Sequence, residues 1–115
     1  MDIYPTLLEL TGCKQLPMQT LDGRSLVSLI RGEKKTLDRP FLAWWYPHAG
    51  HGSQPSQAIL QDGWKLVHYI KQNETELYRL DEYEGERNDL ARVQSEKTRE
   101  LLEALNQCVQ ETRRN

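Results

Sequence analysis

The dipeptide Asp62-Gly63 constrains the fold of this chain more strongly than any other feature of its sequence. Asp-Gly is the strongest short signal for a β-hairpin, because a tight two-residue turn needs positive φ and glycine adopts it without steric strain. We therefore expect residues 57–61 and 64–70 to pair as antiparallel strands, with Gly63 at positive φ. Any fold for this chain must accommodate that sheet.

Two further segments have the composition of strands. Residues 76–80 contain the apolar Leu77 and Leu80 beside polar neighbours, and a turn signal precedes the segment. Residues 41–46 are apolar on both faces, which indicates a central or covered strand. Together with the hairpin, these segments predict an antiparallel meander of about four strands.

The three tryptophans, at positions 44, 45 and 64, all lie in strand candidates. Indoles on a sheet can stack on sugars, so a carbohydrate platform is one interpretation. A small sheet, however, gains most from their large apolar surfaces in its core. We therefore expect Trp44, Trp45 and Trp64 to be core residues.

Helices are predicted before and after the strand segments along the chain. Asp2 can cap a helix that Gly12 ends, and a second short helix is expected at residues 25–31. After the sheet, Ser95 can cap a helix that reaches about Thr112. The apolar stripe of this last helix consists of Leu101, Leu102, Leu105, Cys108 and Val109. The predicted fold class is α+β: an antiparallel sheet packed against a C-terminal helix and preceded by a helical N-terminal segment.

Charge and composition argue against several classes of partner. The 115 residues carry a formal net charge of -2, with acids and bases interspersed, which favours neither nucleic acid nor an anionic membrane surface. No apolar run is long enough to span a bilayer. The cysteines, Cys13 and Cys108, lack the spacing of a metal site or a disulfide framework, and we expect small buried or half-buried thiols.

Four sequence blocks occur in an order that is typical of one enzyme family. They are Asp2-Ile-Tyr-Pro-Thr-Leu-Leu-Glu-Leu-Thr-Gly12, Leu21-Asp-Gly-Arg-Ser-Leu26, Ala58-Ile-Leu-Gln-Asp-Gly-Trp-Lys-Leu-Val67 and Glu76-Leu-Tyr-Arg-Leu-Asp-Glu-Tyr-Glu-Gly-Glu-Arg-Asn-Asp-Leu-Ala91. The chain resembles, from Asp2 to about Cys108, the C-terminal part of a sulfatase of the arylsulfatase family, in the alkaline-phosphatase-like superfamily. This resemblance implies that residues 1–36 belong to the large sulfatase domain and residues 37–115 form the C-terminal subdomain.

The resemblance also implies that the catalytic centre precedes this chain. Sulfatases convert a cysteine or serine to formylglycine within a Cys/Ser-x-Pro/Ala-x-Arg motif, which neither Cys13 nor Cys108 begins. Their calcium site needs clustered oxygen ligands, whereas the aspartates here stand singly at turns and helix starts. We therefore expect no catalytic residue and no metal ligand in this chain, and calcium and formylglycine in a parent enzyme. The catalytic domain of that periplasmic or extracellular parent would be the partner of this chain, and its substrate a sulfated small molecule or glycan.

Two histidines stand on the loop that follows residues 41–46. In sulfatases that this chain resembles, the corresponding loop faces the substrate cleft, which implies that His48 and His51 bind substrate. An imidazole there could hold a sulfate oxygen or a sugar hydroxyl. The alternative is a solvent-exposed, glycine-rich loop with incidental histidines. His68, inside a strand, is expected to be structural.

Two other functions are compatible with the same residues. Related phosphonate and phosphodiester hydrolases share an Asp-x-x-Pro-Thr-Leu block like the one beginning at Asp2, so the parent could act on phosphorus. The chain could also be a free-standing interaction module without catalysis. The apolar helix face formed by Leu7, Leu8 and Leu10 would lack its cover in an isolated chain, which allows homo-oligomers through this helix.

Overall fold

The computed structural model describes residues 1–16, 21–48, 54–82 and 85–114, without the side chains of the last two. The chain divides into two compact units, Met1–Arg39 and Pro40–Asn115. The assignment of residues 1–36 to a large sulfatase domain and of residues 37–115 to a C-terminal subdomain stays a prediction. Among the helices of the described ranges, none has both the length and the hydropathy needed to cross a bilayer.

The first unit contains two helices, α1 (Ile3–Thr11) and α2 (Val27–Ile30). Gly12 ends α1 as predicted, with φ of 68° and its N–H directed to Glu9 O. A threonine joins the two helices: the Thr6 hydroxyl donates to Asp2 O at 2.6 Å and accepts from Leu26 N–H at 3.0 Å. Because Thr6 is buried, these bonds are shielded from competing water.

Asp2 holds the ends of the first unit together. It occupies the N-cap position of α1, but its side chain makes no cap hydrogen bond, so that part of the sequence prediction is wrong. Its φ and ψ of -78° and -19° are helical, whereas a capping side chain needs an extended backbone. The carboxylate instead accepts from Arg39 Nη2 at 2.5 Å and Arg24 N–H at 3.0 Å.

The second unit is an antiparallel sheet with one helix. Its strands are β1 (Leu42–Tyr46), β2 (Ser56–Gln61), β3 (Trp64–Tyr69) and β4 (Glu74–Arg79), and its helix is α3 (Ser95–Arg114). The four strands lie in the order β1-β2-β3-β4, each antiparallel to its neighbour. The predicted α+β fold, with a meander and helices at both ends of the sequence, is confirmed.

The hairpin at Asp62-Gly63 forms as predicted. Gln61 pairs with Trp64 across the turn, and Asp62 and Gly63 have φ of 50° and 76°. Both positive angles are those of a type I′ turn, whose twist matches the flanking strands. A Cβ on Gly63 would also lie 2.9 Å from Asp81 Oδ1. The positive φ therefore favours glycine here, and a side chain at this position would displace the Asp81 carboxylate.

The core of the second unit lies between the sheet and α3. It consists of Ile59, Leu66, Leu77, Leu101 and Leu105, each 0% exposed. Complete burial of such a side chain contributes about 1.5–3 kcal/mol, so this layer is the main stabilising feature of the unit. Leu102 and Val109 pack against it, which confirms the predicted stripe of α3.

The prediction that Trp44 and Trp45 are core residues is wrong. They are 46% and 41% exposed, because β1 is an edge strand and not the central or covered strand expected from its apolar sequence. Trp64 differs, since it packs against the core cluster. The Arg79 guanidinium lies 4.8 Å from the centre of its ring, a cation–π contact.

Candidate functional site

One end of the sheet carries the loop that the sequence predicted to contact substrate. β1 ends and β2 begins there, with Tyr46 opposite Ser56, and Tyr69 and Glu74 continue the same row across the other strands. The Asp62-Gly63 turn lies at the opposite end, because it joins the other ends of β2 and β3. The candidate site is therefore this end of the sheet, where several chain segments meet.

His48 lies two residues beyond the end of β1. Its side chain is exposed, one residue beyond the half-buried Pro47. The second predicted substrate ligand, His51, lies outside the described residues. The structure thus brings His48 to the tip of the sheet, and the substrate roles of both histidines stay predictions.

The helix-facing side of this end has a structural role. His68 is half-buried, and its Nδ1 lies 3.1 Å from Thr75 Oγ1, in agreement with the structural role expected for it. Gln57 is buried and its Nε2 donates to Asn106 Oδ1 on α3 at 3.3 Å. The first contact joins β3 to β4, and the second attaches α3 to the sheet.

The opposite face of the sheet carries a cluster that sequence reasoning missed. The hydroxyls of Tyr69 and Tyr78 both donate to Glu76 Oε2, at 3.0 and 2.9 Å. Glu76 and Tyr78 are two residues apart on one strand, so their shared face follows from strand periodicity. Tyr69 joins them through the β3–β4 register, which depends on the intervening turn.

Burial, followed by the hydrogen bond to Glu76, raises the pKa of both Tyr69 and Tyr78 above the ordinary tyrosine value. Both hydroxyls therefore keep their protons at neutral pH and act as donors to a carboxylate. A phenol in that state is neither a base nor a nucleophile. The two hydrogen bonds hold the Glu76 carboxylate in place on this face of the sheet.

The described residues contain no group of three or more histidine, cysteine, aspartate or glutamate side chains that could hold a metal ion. Several aspartates already have structural partners. Asp2 binds Arg39, Asp81 lies 2.6 Å from Arg79 Nε, and Asp89 Oδ1 accepts from the N–H groups of Leu77 and Ala91 at 3.0 and 2.9 Å. In the described residues these carboxylates serve ion pairs and turns.

The cysteines show one further departure from expectation. Cys108 is half-buried on α3, as expected, whereas Cys13 is exposed. The expectation of a buried or half-buried thiol at position 13 is therefore wrong. Cys13 follows the glycine that ends α1, where the chain has already left the helix.

A family model matches the whole chain. This model, described as N-sulphoglucosamine sulphohydrolase, C-terminal, covers residues 1–115.

Two curated relatives are sulfatases. A Delta 4,5-hexuronate-2-O-sulfatase of Bacteroides thetaiotaomicron is 31% identical over 93 residues, which are 80% of this chain and 19% of that protein. A sulfatase of Formosa agariphila is 32% identical over 116 residues, which are 91% of this chain and 21% of that protein. The chain therefore spans about a fifth of the length of these curated relatives.

Solved structures share the fold. The structure of a 2-O GAG sulfatase matches with a TM-score of 0.70 at 26% identity, covering 96% of this chain and 23% of that one. A second structure, determined in complex with its substrate D-glucosamine-2-N,6-O-disulfate, matches with a TM-score of 0.78 at 24% identity. That match covers 99% of this chain and 24% of the other.

Proposed function

Since this chain belongs to the N-sulphoglucosamine sulphohydrolase C-terminal family, we propose that it is the C-terminal region of a sulfuric ester hydrolase. The observation that carries this proposal is the family match over residues 1–115. Both curated relatives named above are sulfatases, which supports the same reaction class. Within the parent enzyme the chain is a structural subdomain and one wall of the substrate cleft.

The chemistry resides in the rest of the parent. Calcium and formylglycine are implied for that enzyme by the sulfatase family, and neither the nucleophile motif nor a cluster of oxygen ligands occurs in the described part of this chain. Several of the polar groups that the structure describes bind one another, as Asp2 with Arg39 and Glu76 with two tyrosines illustrate. The chain contributes shape and packing to catalysis.

A sulfated glycan is the proposed substrate class. One relative acts on a 2-O-sulfated hexuronate by its name, and a solved neighbour is a 2-O GAG sulfatase. In the parent, His48 and His51 would stand at the cleft and donate hydrogen bonds to a sulfate oxygen or a sugar hydroxyl. The exposed position of His48 at the tip of the sheet supports this role.

A comparison of substrates separates this proposal from the phosphorus alternative. The parent enzyme should release sulfate from sulfated sugars much faster than it cleaves a phosphonate monoester or a phosphate diester of matched leaving group. Hydrolysis of the phosphorus compounds alone would contradict the sulfatase proposal and favour the related hydrolases. The absence of any ester hydrolysis by the parent would favour the non-catalytic interaction module.

The role of the loop has its own test in the parent enzyme. If His48 donates one hydrogen bond to substrate, His48→Ala should lower kcat/KM roughly 2- to 12-fold, the equivalent of about 0.5–1.5 kcal/mol. The matched control is Gln72→Ala, an exposed residue in the turn between β3 and β4 at the same end of the sheet. Equal values of kcat/KM for the two variants would contradict a substrate role for His48.

A further inference from the structure

The outer edge of β4 is closed by a short segment of the same unit. Among the described strands β4 pairs only with β3, so alternate residues of β4 direct their backbone N–H and C=O groups away from the sheet. Leu77 is one of these residues, since its N–H and its C=O both bond to groups that follow the strand in sequence. An uncovered edge of this kind is a template on which another strand can add.

The segment that closes this edge consists of residues 89–91, which we call the edge strap. Asp89 Oδ1 accepts from Leu77 N–H at 3.0 Å, and Leu90 N–H donates to Leu77 O at 2.8 Å. The strap therefore satisfies both backbone groups that Leu77 presents at the edge. A carboxylate oxygen takes the position of one strand carbonyl, so the edge is covered although the strap is not itself a strand.

The edge strap is held by its own turn and by the core. Asp89 Oδ1 also accepts from Ala91 N–H at 2.9 Å, in a turn closed by the aspartate side chain. The side chains of Leu90 and Ala91 pack against the core cluster, and Thr98 Oγ1 in the first turn of α3 donates to Ala91 O at 3.2 Å. Because one carboxylate oxygen bonds both the strand and the turn, closure of the edge depends on Asp89.

The backbone groups under the strap need a partner. Leu77 is 0% exposed, so loss of the Asp89 carboxylate would leave its N–H buried without an acceptor, which is unfavourable. The peptide groups of an added strand supply an acceptor and a donor at the same spacing. Release of the strap would therefore convert a closed edge into one that favours strand addition.

We propose that the edge strap prevents this chain from associating through β4, and that a second copy of the chain adds to this edge when the strap is released. The sequence of β4 identifies the occupant. In an antiparallel pair with a two-fold axis at Leu77, Glu76 lies opposite Tyr78 of the second copy, and Thr75 lies opposite Arg79 of the second copy. This register opposes no two like charges. The two copies of Leu77 would exchange the hydrogen bonds that the strap provides in the closed form.

Release of the strap can be measured in the 115-residue chain. Asp89→Ala removes both hydrogen bonds of the carboxylate, and Asp89→Asn is the matched control because its amide oxygen can still accept them. Both variants are made in a Leu7→Glu background, so that α1, whose Leu7 is 53% exposed, does not cause association. Sedimentation gives the mass, and hydrogen exchange measured by NMR follows the Leu77 amide.

In dilute solution, Asp89→Ala should raise the exchange rate of the Leu77 amide at least about 5-fold, because two hydrogen bonds of ordinary strength are lost. At millimolar concentration this variant should form dimers in which the Leu77 amide is protected again. Asp89→Asn should remain monomeric and keep this amide protected at both concentrations. If Asp89→Ala does not fold, Leu90→Ala replaces it, because it removes the side chain that holds the strap against the core, and the same dimer is expected.

A strap-released variant that stays monomeric at millimolar concentration would overturn the proposal. Dimers in which the Leu77 amide exchanges as fast as in dilute solution would also overturn it, because association would then involve another surface. Leu105→Ala controls for lost stability, since it weakens the core and leaves the strap in place. It should stay monomeric, and dimers of Leu105→Ala or Asp89→Asn as abundant as those of Asp89→Ala would contradict a specific role for the strap.

Discussion

Gly63 illustrates how a single residue can determine a local structure. Its φ is 76°, and a Cβ would lie 2.9 Å from the Asp81 carboxylate. Gly63→Val should therefore lower the free energy of unfolding by about 1–3 kcal/mol, measured by urea titration. Gly85→Val is the matched control, because Gly85 also has positive φ but its Cβ would meet no atom closer than 3.6 Å. A larger loss at Gly85 than at Gly63 would contradict this explanation of the turn.

Tyr78 should make stability depend on alkaline pH. Burial and the bond to Glu76 raise its pKa in the folded state, so its contribution is complete below the unfolded tyrosine pKa of about 10 and is lost as pH rises toward the folded value. Urea midpoints measured above about pH 10 should fall less steeply for Tyr78→Phe than for the wild type. Tyr46→Phe, on the exposed end of β1, is the control. If the urea midpoint of Tyr78→Phe fell with pH as steeply as that of the wild type, Tyr78 would not be the source of this pH dependence.

At the scale of the elements, local signals predicted some features and missed others. The Asp62-Gly63 turn and the stripe of α3 follow from turn chemistry and helical periodicity, so both were predictable. The exposure of Trp44 and Trp45 could not be predicted, because central and edge strands can have the same apolar sequence pattern. The partner of Glu76 across the β3–β4 hairpin was missed, since it depends on register.

The packing of α3 on the sheet has a quantitative consequence. Leu105 is 0% exposed between α3 and the sheet, so Leu105→Ala should cost about 2–5 kcal/mol. Glu103→Ala, on the exposed side of the same helix, should stay within about 0.5 kcal/mol of the wild type. Urea titrations of both variants give the comparison. If Leu105→Ala left stability unchanged while Gly63→Val lowered it strongly, the hairpin assignment would stand. The packing of α3 on the sheet would then be wrong.

At the scale of the whole molecule, α1 presents an apolar face that needs a partner. Ile3, Leu7 and Leu10 are 67%, 53% and 52% exposed, and their spacing places them on one side of the helix. The sequence predicted an uncovered face of Leu7, Leu8 and Leu10; Leu7 and Leu10 are exposed as predicted, whereas Leu8 is half-buried. We propose that the large domain of the parent covers it, and that homo-oligomers form only when that domain is missing.

Sedimentation of the 115-residue chain checks this proposal. The wild-type chain should self-associate, and Leu7→Glu should reduce the self-association because it places a charge in the apolar stripe. Glu9→Gln, on an exposed position of the same helix, serves as the control. A wild-type chain that stays strictly monomeric would contradict the expected exposure of this face.

The central claim is that this chain is a non-catalytic part of a sulfatase. Sulfate release from a 2-O-sulfated hexuronate, measured by ion chromatography for the parent enzyme and for the 115-residue chain, tests it most directly. The account predicts sulfate release by the parent and none above a buffer blank by the chain. Sulfate release by the purified chain that a substitution within it abolishes would contradict the account.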